Sequence, residues 1–394
     1  MKKKTIHDID LRGRRVLLRV DYNVQVDEGG VSGDMRIRES LGTIKALREA
    51  GARIVICSHR GRPRGEIVDG LRNGLVAAHL SGLLERPVAT VGDCVGPEVA
   101  AAVAALGSGD LLLLENVRFH PGEEANDAGF ARELASLADV YVSDAFGTAH
   151  RAHASIVGVP EFLPAVAGLL LEREVDYLGR VTMDPERPFG LLLGGAKMSD
   201  KLLMLENLCD RADVICIGGG MANTFLKAQG IDVQRSLVED ERLDTARDVL
   251  RRVAERGDVE LLLPTDVVAS FSAPENDAVS IVPAGDVPSG WRIVDIGPAT
   301  VQAFAAALAD VRTAVWNGPV GMFEQERFAH GSMEMARVFA ALQATTVVGG
   351  GETAAVVHRV GVADQISHVS TGGGASLAML EGQTLPGVEA LLDR

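Results

Sequence analysis

Three consecutive stretches set the architecture: Arg15-Val16-Leu17-Leu18-Arg19-Val20-Asp21, then Arg38–Ala50, then Arg53-Ile54-Val55-Ile56-Cys57-Ser58. The outer two are short, apolar and rich in β-branched or leucine side chains, whereas the middle one repeats its apolar residues with helical period. Strand, helix, strand in this order is a βα unit, the building block of a parallel sheet. The alternation continues outward. Asp110–Glu115 and Val140–Asp144 read as further strands, with Gly129–Leu137 as a helix before the second. The other half repeats the theme in Phe189–Leu193, Asp213–Ile217, Glu260–Leu263, Thr313–Trp316 and Thr345–Val348. Between the halves, Ala167–Val181 carries apolar residues at helical spacing, with Glu172, Arg173, Glu174 and Asp176 on the other face, and Met183-Asp184-Pro185 ends it. The pattern predicts an α/β chain with parallel-sheet cores and a connecting helix. The segment Val388–Leu392, after Leu385-Pro386-Gly387, is too short to be a domain and must pack on something.

Composition narrows the function. The 394 residues carry 39 Lys+Arg against 54 Asp+Glu, a net charge of -15, and 47% are apolar. This suits a folded chain of two or three domains and disfavours nucleic acid and anionic membrane surfaces as partners. The longest apolar candidates, such as Ala165–Leu171, are far short of the roughly 18 residues of a spanning helix. Met1-Lys2-Lys3-Lys4 is followed by the polar stretch Thr5–Arg15 where a secretion signal needs an apolar core, so a cytoplasmic location is expected. Cys57, Cys94, Cys209 and Cys216 form no CxxC pair and read as buried, reduced thiols. HExxH, zinc-type ligand spacing, the Walker A pattern and GxGxxG are all absent, which counts against a zinc hydrolase, a P-loop kinase and an ordinary nicotinamide dehydrogenase.

The two halves differ in the residues placed just past their strands. In the first, Asp21 and Asn23, then His59 and Arg62, then Arg118, then His150, Arg151 and His153 lie beyond successive strands, with Arg36 in the loop after the first. Loops at the carboxyl ends of a parallel sheet line one crevice, so these side chains are expected to converge. Four arginines and a histidine favour a small polyanion, because guanidinium groups grip phosphate and carboxylate oxygens in pairs. For His150 and His153, Asp144 offers a purely structural partner. In the second half, glycine clusters stand at the strand ends: Gly194-Gly195, Gly218-Gly219-Gly220, Gly349-Gly350-Gly351 and Gly372-Gly373-Gly374. Each is expected to precede a helix and to bring backbone N–H groups close to phosphate. Lys197 and Lys201, four apart, would present two ammonium groups to one side of a helix. One half for a small polyanion and one for a phosphate-rich ligand point to a phosphoryl-transfer enzyme that closes two domains.

These residues stand in motifs that resemble phosphoglycerate kinases, from about Thr5 onward. They are Arg19-Val20-Asp21-Tyr22-Asn23-Val24, Ser58-His59-Arg60-Gly61-Arg62-Pro63, Glu115-Asn116-Val117-Arg118-Phe119-His120 and Asp144-Ala145-Phe146-Gly147-Thr148-Ala149-His150-Arg151. On the nucleotide side they are Gly194–Lys201, Gly218–Phe225, Trp316–Glu324, Gly349–Thr353 and Ser370–Leu377. The resemblance implies two Rossmann-like domains joined by a hinge helix: residues 1–168, with 386–394 packing back on them, and residues 169–385. It implies transfer of a phosphoryl group between 1,3-bisphosphoglycerate and Mg-ADP, giving 3-phosphoglycerate and ATP, by a monomer. Asp21, Asn23, Arg36, His59, Arg62, Arg118 and Arg151 would hold the phosphoglycerate. Gly194, Ala196, Lys197, Lys201, Gly218, Gly219, Asn317, Glu324, Gly349, Gly350, Gly351, Glu352 and Thr353 would hold the nucleotide. Arg36, Lys197, Lys201 and Gly373 would face the migrating group. Two positions depart from the usual pattern. Gln25 replaces a proline, and Glu352 replaces the aspartate that would meet the nucleotide's magnesium ion.

Overall fold

The computed structural model describes residues 2–27, 30–273 and 276–394. They gather into two compact units, Met1–Asp176 with Thr384–Arg394, and Tyr177–Gln383. The boundary falls within the helix Leu169–Met183, whereas the sequence reading set it at the start of that helix.

The first unit contains β1 (Arg15–Arg19), β2 (Gln25–Asp27), β3 (Gly30–Ser32), β4 (Arg53–Cys57), β5 (Ala89–Thr90), β6 (Leu111–Leu113), β7 (Val140–Ser143) and β8 (Ala165–Ala167). Six of these form a parallel sheet in the order β5-β6-β4-β1-β7-β8, and β2 and β3 form a small antiparallel hairpin. Val16, Leu18, Ile54, Ile56, Val140 and Val142 pack with Ile37, Ile44 and Leu47 of the helix Met35–Glu49. Burial of such side chains stabilises the unit by about 1.5–3 kcal/mol each. β1 is flanked by β4 and β7, with Arg19 level with Cys57 on one side and Ser143 on the other. The loops that leave these strands therefore emerge side by side, at the point where the strand order reverses.

The apolar run Ala165–Leu171 is split, its first three residues pairing with β7 and the helix beginning at Leu169. Asp144 explains the break. Its Oδ1 accepts hydrogen bonds from the N–H groups of Leu170 and Leu171 at 2.9 and 3.2 Å, capping the helix. A side chain on the intervening Gly168 would lie 2.2 Å from that same oxygen. Asp144 thus caps a helix and does not partner His150 or His153, contrary to the sequence expectation. The segment 384–394 completes the unit. Gly387 N–H donates to Ala149 O at 2.8 Å, Leu392 N–H to Ala165 O at 3.0 Å, and Arg394 pairs with Asp8 at 3.0 Å.

The second unit contains β9 (Phe189–Leu193), β10 (Val214–Ile217), β11 (Glu260–Leu262), β12 (Asp266–Ala273), β13 (Asn276–Pro283), β14 (Arg292–Ile296), β15 (Thr313–Asn317), β16 (Thr345–Gly349) and β17 (His368–Val369). Its parallel sheet runs β11-β10-β9-β15-β16-β17, so β9, like β1 in the first unit, is the central strand at which the order reverses, with Leu193 level with Ile217 and Asn317. Trp316, Phe304, Phe339, Met335 and Val348 fill its core. β13-β12-β14 form a separate antiparallel sheet that the sequence reading did not anticipate. No helix among the described residues is long and apolar enough to cross a membrane. All four cysteines are buried and free.

Candidate active-site residues

The first unit brings most of its predicted polar residues together beyond β1, β4, β6 and β7. Arg36 pairs with Asp21 at 3.1 Å and donates to Asn23 O at 3.3 Å. Asn23 Oδ1 accepts from Gly61 N–H at 2.9 Å, and Arg118 Nη1 donates to Gly61 O at 2.7 Å, so the loops after three strands are stitched through one glycine. His59, 3% exposed, lies among them. Burial first, then the charges of Arg19, Arg118, Arg151 and Arg36, hold its pKa well below the usual histidine value. It is a neutral imidazole among cations. Arg151 donates to His150 Nε2 at 3.3 Å, and His150 is likewise depressed, by burial and then by Arg151. His153 faces Glu123 at 3.8 Å, and burial lowers its pKa despite that carboxylate. Arg62 is exposed and pairs with nothing among the described residues.

Two residues the sequence reading did not rank shape this crevice. Asn116 is fully buried. Its Oδ1 accepts the N–H groups of Arg60 and Arg118, both at 3.1 Å, and its Nδ2 donates to Arg60 O at 2.8 Å and Leu71 O at 3.1 Å. It locks the loop carrying His59 to the loop carrying Arg118. Arg19 sits at the end of β1, 1% exposed. A charged residue closing an otherwise apolar strand was the available signal, because such a group is buried only with partners.

The second unit holds two neighbouring cavities, both lined by Glu352. The larger, about 530 Å³, is mostly apolar and includes Ala196, Gly219, Leu237, Val294, Met322 and Glu324 in its wall. The smaller, about 230 Å³, is lined by Lys201, Asn317, Gly350, Gly351, Thr353 and Gly373. Their walls depend on close backbone packing. Gly219 has φ +66°, and a Cβ there would lie 2.8 Å from Gly195 O; at Gly318, φ +94°, one would lie 2.3 Å from Gly194 O. Only glycine fits both conditions. Gly195 N–H donates to Pro319 O at 2.7 Å, Gly219 N–H to Val320 O at 3.0 Å, and Thr353 Oγ1 accepts from Gly318 N–H at 2.8 Å, tying four strand-end loops into one frame. Gly194, Gly218 and Gly349 pack within this frame, behind the cavity surfaces.

The lysines differ from expectation. Residues 194–201 form turns, and the helix begins only at Leu202, so Lys197 and Lys201 do not share a helix face. Gly194-Gly195 is accordingly the one glycine cluster that does not open directly onto a helix. Buried Met198 anchors the turn, and Ser199 donates to Glu239 through its N–H at 3.1 Å and its hydroxyl at 2.5 Å. Lys197 is left exposed and Lys201 partly buried. Burial lowers the Lys201 pKa, opposed by Asp200, Glu352 and Glu381. The Oδ1 of buried Asn317 has no hydrogen-bond partner, a polar atom left for a ligand beside the smaller cavity. Glu352, exposed in the first turn of the helix Gly351–Val360, offers the hard oxygen donors that magnesium takes. The residues present fit such an ion bound together with nucleotide phosphates.

The comparisons with known proteins agree over the whole chain. The family model described as Phosphoglycerate kinase matches residues 6–383. Curated phosphoglycerate kinases of Moorella thermoacetica and Pelotomaculum thermopropionicum are 53% and 52% identical, with 100% of each chain covered. Among solved structures, phosphoglycerate kinase of Coxiella burnetii superposes with a TM-score of 0.90 at 39% identity, and that of Pyrococcus horikoshii with 0.85 at 31%, each covering 98% of both chains. The strand-end arginines, the glycine frame and these full-length likenesses lead to one assignment: the chain belongs to the phosphoglycerate kinase family.

Proposed function

We propose that this protein interconverts 1,3-bisphosphoglycerate plus Mg-ADP with 3-phosphoglycerate plus ATP. The observation that carries the reading is the gathering of Arg36, Arg118 and Arg151 about a buried, neutral His59. Fixed cations around an uncharged donor suit a small acid bearing both phosphate and carboxylate. In this reading Arg36, Arg62, Arg118 and Arg151 grip the charged oxygens, and Asp21, Asn23 and His59 orient the rest of the molecule. The larger cavity of the second unit takes base and ribose against its apolar wall. The smaller one takes the phosphates against Gly350, Gly351, Gly373 and Lys201.

When 3-phosphoglycerate is phosphorylated, its own C1 carboxylate attacks the γ-phosphorus, the bond to the β–γ bridging oxygen breaks, and ADP departs. That carboxylate is ionised at neutral pH, so the protein supplies no base. Its contribution is alignment and charge neutralisation by Arg36, Lys197, Lys201 and the backbone N–H of Gly373. Glu352 would hold the magnesium ion, which when bound shields the charge of the nucleotide phosphates. Reacting atoms must approach to about 3–3.5 Å. We therefore assign the helix Leu169–Met183, which crosses the unit boundary, as the hinge on which the units close and expel water. One chain carries both half-sites, so the proposal is a monomer, acting in the cytoplasm on small molecules only.

The test is ATP-dependent phosphorylation of 3-phosphoglycerate, followed in a dehydrogenase-coupled assay while Mg²⁺ is titrated. Robust, Mg²⁺-dependent turnover is expected. Nucleotide binding with no turnover of 3-phosphoglycerate would overturn the reading.

A further inference from the structure

Arg19 is a charged residue at the end of a strand whose Val16, Leu17 and Leu18 are completely buried, and it is itself 1% exposed. Such a group is tolerated only when each donor finds an acceptor. Nε donates to Ser155 Oγ at 2.8 Å, Nη1 to Val20 O, and Nη2 lies 3.3 Å from His59 Nδ1. Behind Ser155 stands Glu123, fully buried, which accepts the Ser155 hydroxyl at 2.6 Å and the Ser155 N–H at 2.8 Å. Glu123, Ser155, Arg19 and His59 thus form one buried hydrogen-bonded line running from the interior to the crevice.

An arginine side chain has donors and no acceptor, so the His59 nitrogen it meets must accept. The ring proton is then on Nε2. Asp21 Oδ1 is 3.8 Å from the same Nδ1, beyond hydrogen-bond reach, and Asp21 is engaged by Arg36. Among the described residues Asp21 is the one carboxylate near the ring, and its charge is met by Arg36; burial and the cations Arg19, Arg118, Arg151 and Arg36 outweigh it and oppose a second proton.

We propose that Arg19, itself fixed through Ser155 by Glu123, is a positioning residue that holds His59 as a neutral imidazole with Nδ1 accepting and Nε2–H offered to the bound anion. This rests on the reading of the first unit as the phosphoglycerate site and adds to it how that site behaves with pH. Anion attraction comes from guanidinium groups, which do not titrate, while the histidine contributes direction without charge.

The tautomer is read directly by ¹⁵N NMR of the full-length protein labelled at histidine, with His59→Gln identifying the resonances. Wild type is expected to show an unprotonated Nδ1 and a protonated Nε2, unchanged from about pH 5.5 to about pH 8. In Arg19→Met, His59 is expected to titrate inside that window. KM for 3-phosphoglycerate is expected to rise about tenfold, the cost of one charge-assisted hydrogen bond. The ratio of variant to wild-type KM should grow as pH rises and the newly acquired imidazolium is lost. Arg19→Lys should recover part of the neutral state. Ser155→Ala, which leaves Arg19 in place but cuts its tie to Glu123, should give an intermediate titration. A proton on Nδ1, or titration of His59 near its ordinary value in wild type, overturns the proposal even if Arg19→Met fails to fold. So does an Arg19→Met spectrum identical to wild type. The expected spectrum in a protein that does not turn over 3-phosphoglycerate would instead defeat the substrate reading alone.

Discussion

Lys201 and Glu352 face one small cavity, and the carboxylate bears on the charge of the lysine. Burial favours loss of the Lys201 proton, and Asp200, Glu352 and Glu381 oppose it; in the proposed mechanism this ammonium faces the group being transferred. Lys201→Met is expected to lower kcat about 10²–10³-fold with a much smaller change in KM, the pattern of a group felt mainly in the transition state; steady-state kinetics in both substrates check it. On the proposed assignment of magnesium to Glu352 the extra methylene matters, because magnesium demands near-octahedral geometry at about 2.0–2.1 Å. Glu352→Asp is expected to lower the Mg²⁺ concentration needed for half-maximal rate, and an unchanged titration would show that the longer side chain is accommodated without loss. At this scale the sequence was informative wherever chemistry is written in the side chain. Asp21, Asn23, His59 and Arg118 could be named from their places after strands, whereas Lys201 was named from a helical spacing with Lys197 that the fold does not use. Asn116 and Arg19 could not be ranked, since their importance lies in which partners they meet, and only the folded chain supplies those.

The capped start of the helix Leu169–Met183 shows how an element can depend on one ionisable group. Asp144 is fully buried, and burial lifts its pKa to about 7 against the opposing hydrogen bonds of Thr43, Leu171 and Leu170. Asp295, in the second unit, is also lifted to about 7 by burial, although Gly331 and Ile296 donate to it. A carboxyl whose folded pKa exceeds its unfolded value stabilises the fold fully below the unfolded value, near pH 4. That contribution is lost as pH rises toward 7, at up to about 1.4 kcal/mol per pH unit and group. The depressed histidines His59, His150 and His153 act in the opposite sense up to their ordinary value. The informative quantity is therefore a difference curve. Asp144→Asn keeps an acceptor for Leu170 and Leu171, and its stability relative to wild type is expected to improve steadily from about pH 5 to about pH 7 in urea denaturation. A flat difference would mean the carboxyl ionises in the fold without penalty. Elements with strong apolar runs were legible from sequence, and their ends fell within a residue or two of the expected ones. The antiparallel β12–β14 sheet was not, because one of its faces meets solvent: Val279 and Ile281 stand exposed. A half-exposed strand leaves only a diluted apolar signal.

At the scale of the molecule, each unit repeats one plan, a parallel sheet that reverses order at a central strand and carries its site on the loops beyond. This much was legible in the alternation of strand and helix patterns. The return of residues 384–394 to the first unit was expected only through the resemblance of the motifs, because contacts between segments so far apart in sequence leave no local periodicity. The tail supplies backbone pairing to the edge strand β8 and ion pairs Lys3–Asp393 and Arg394–Asp8. It also buries Leu385, Val388 and Leu391. Three such side chains correspond to about 5–9 kcal/mol at most. Removal of residues 384–394 is expected to lower the melting temperature of the first unit while leaving Mg-ADP binding by the second intact, measured by calorimetry and nucleotide titration. A single unshifted transition would show that the tail is ornamental.

That tail also separates the order of synthesis from the order of completion. On the ribosome the first sheet emerges early, yet its last edge partner is made only after the whole of Tyr177–Gln383 has been translated. The second unit, continuous in sequence, is free to fold as soon as it is clear of the exit tunnel. Residues 4–6 already pair with Ala167, but the first unit must wait with the carbonyl of Ala165 and the surface around Ala149 uncovered, so a nascent chain stalled before residue 384 would present them to chaperones and proteases.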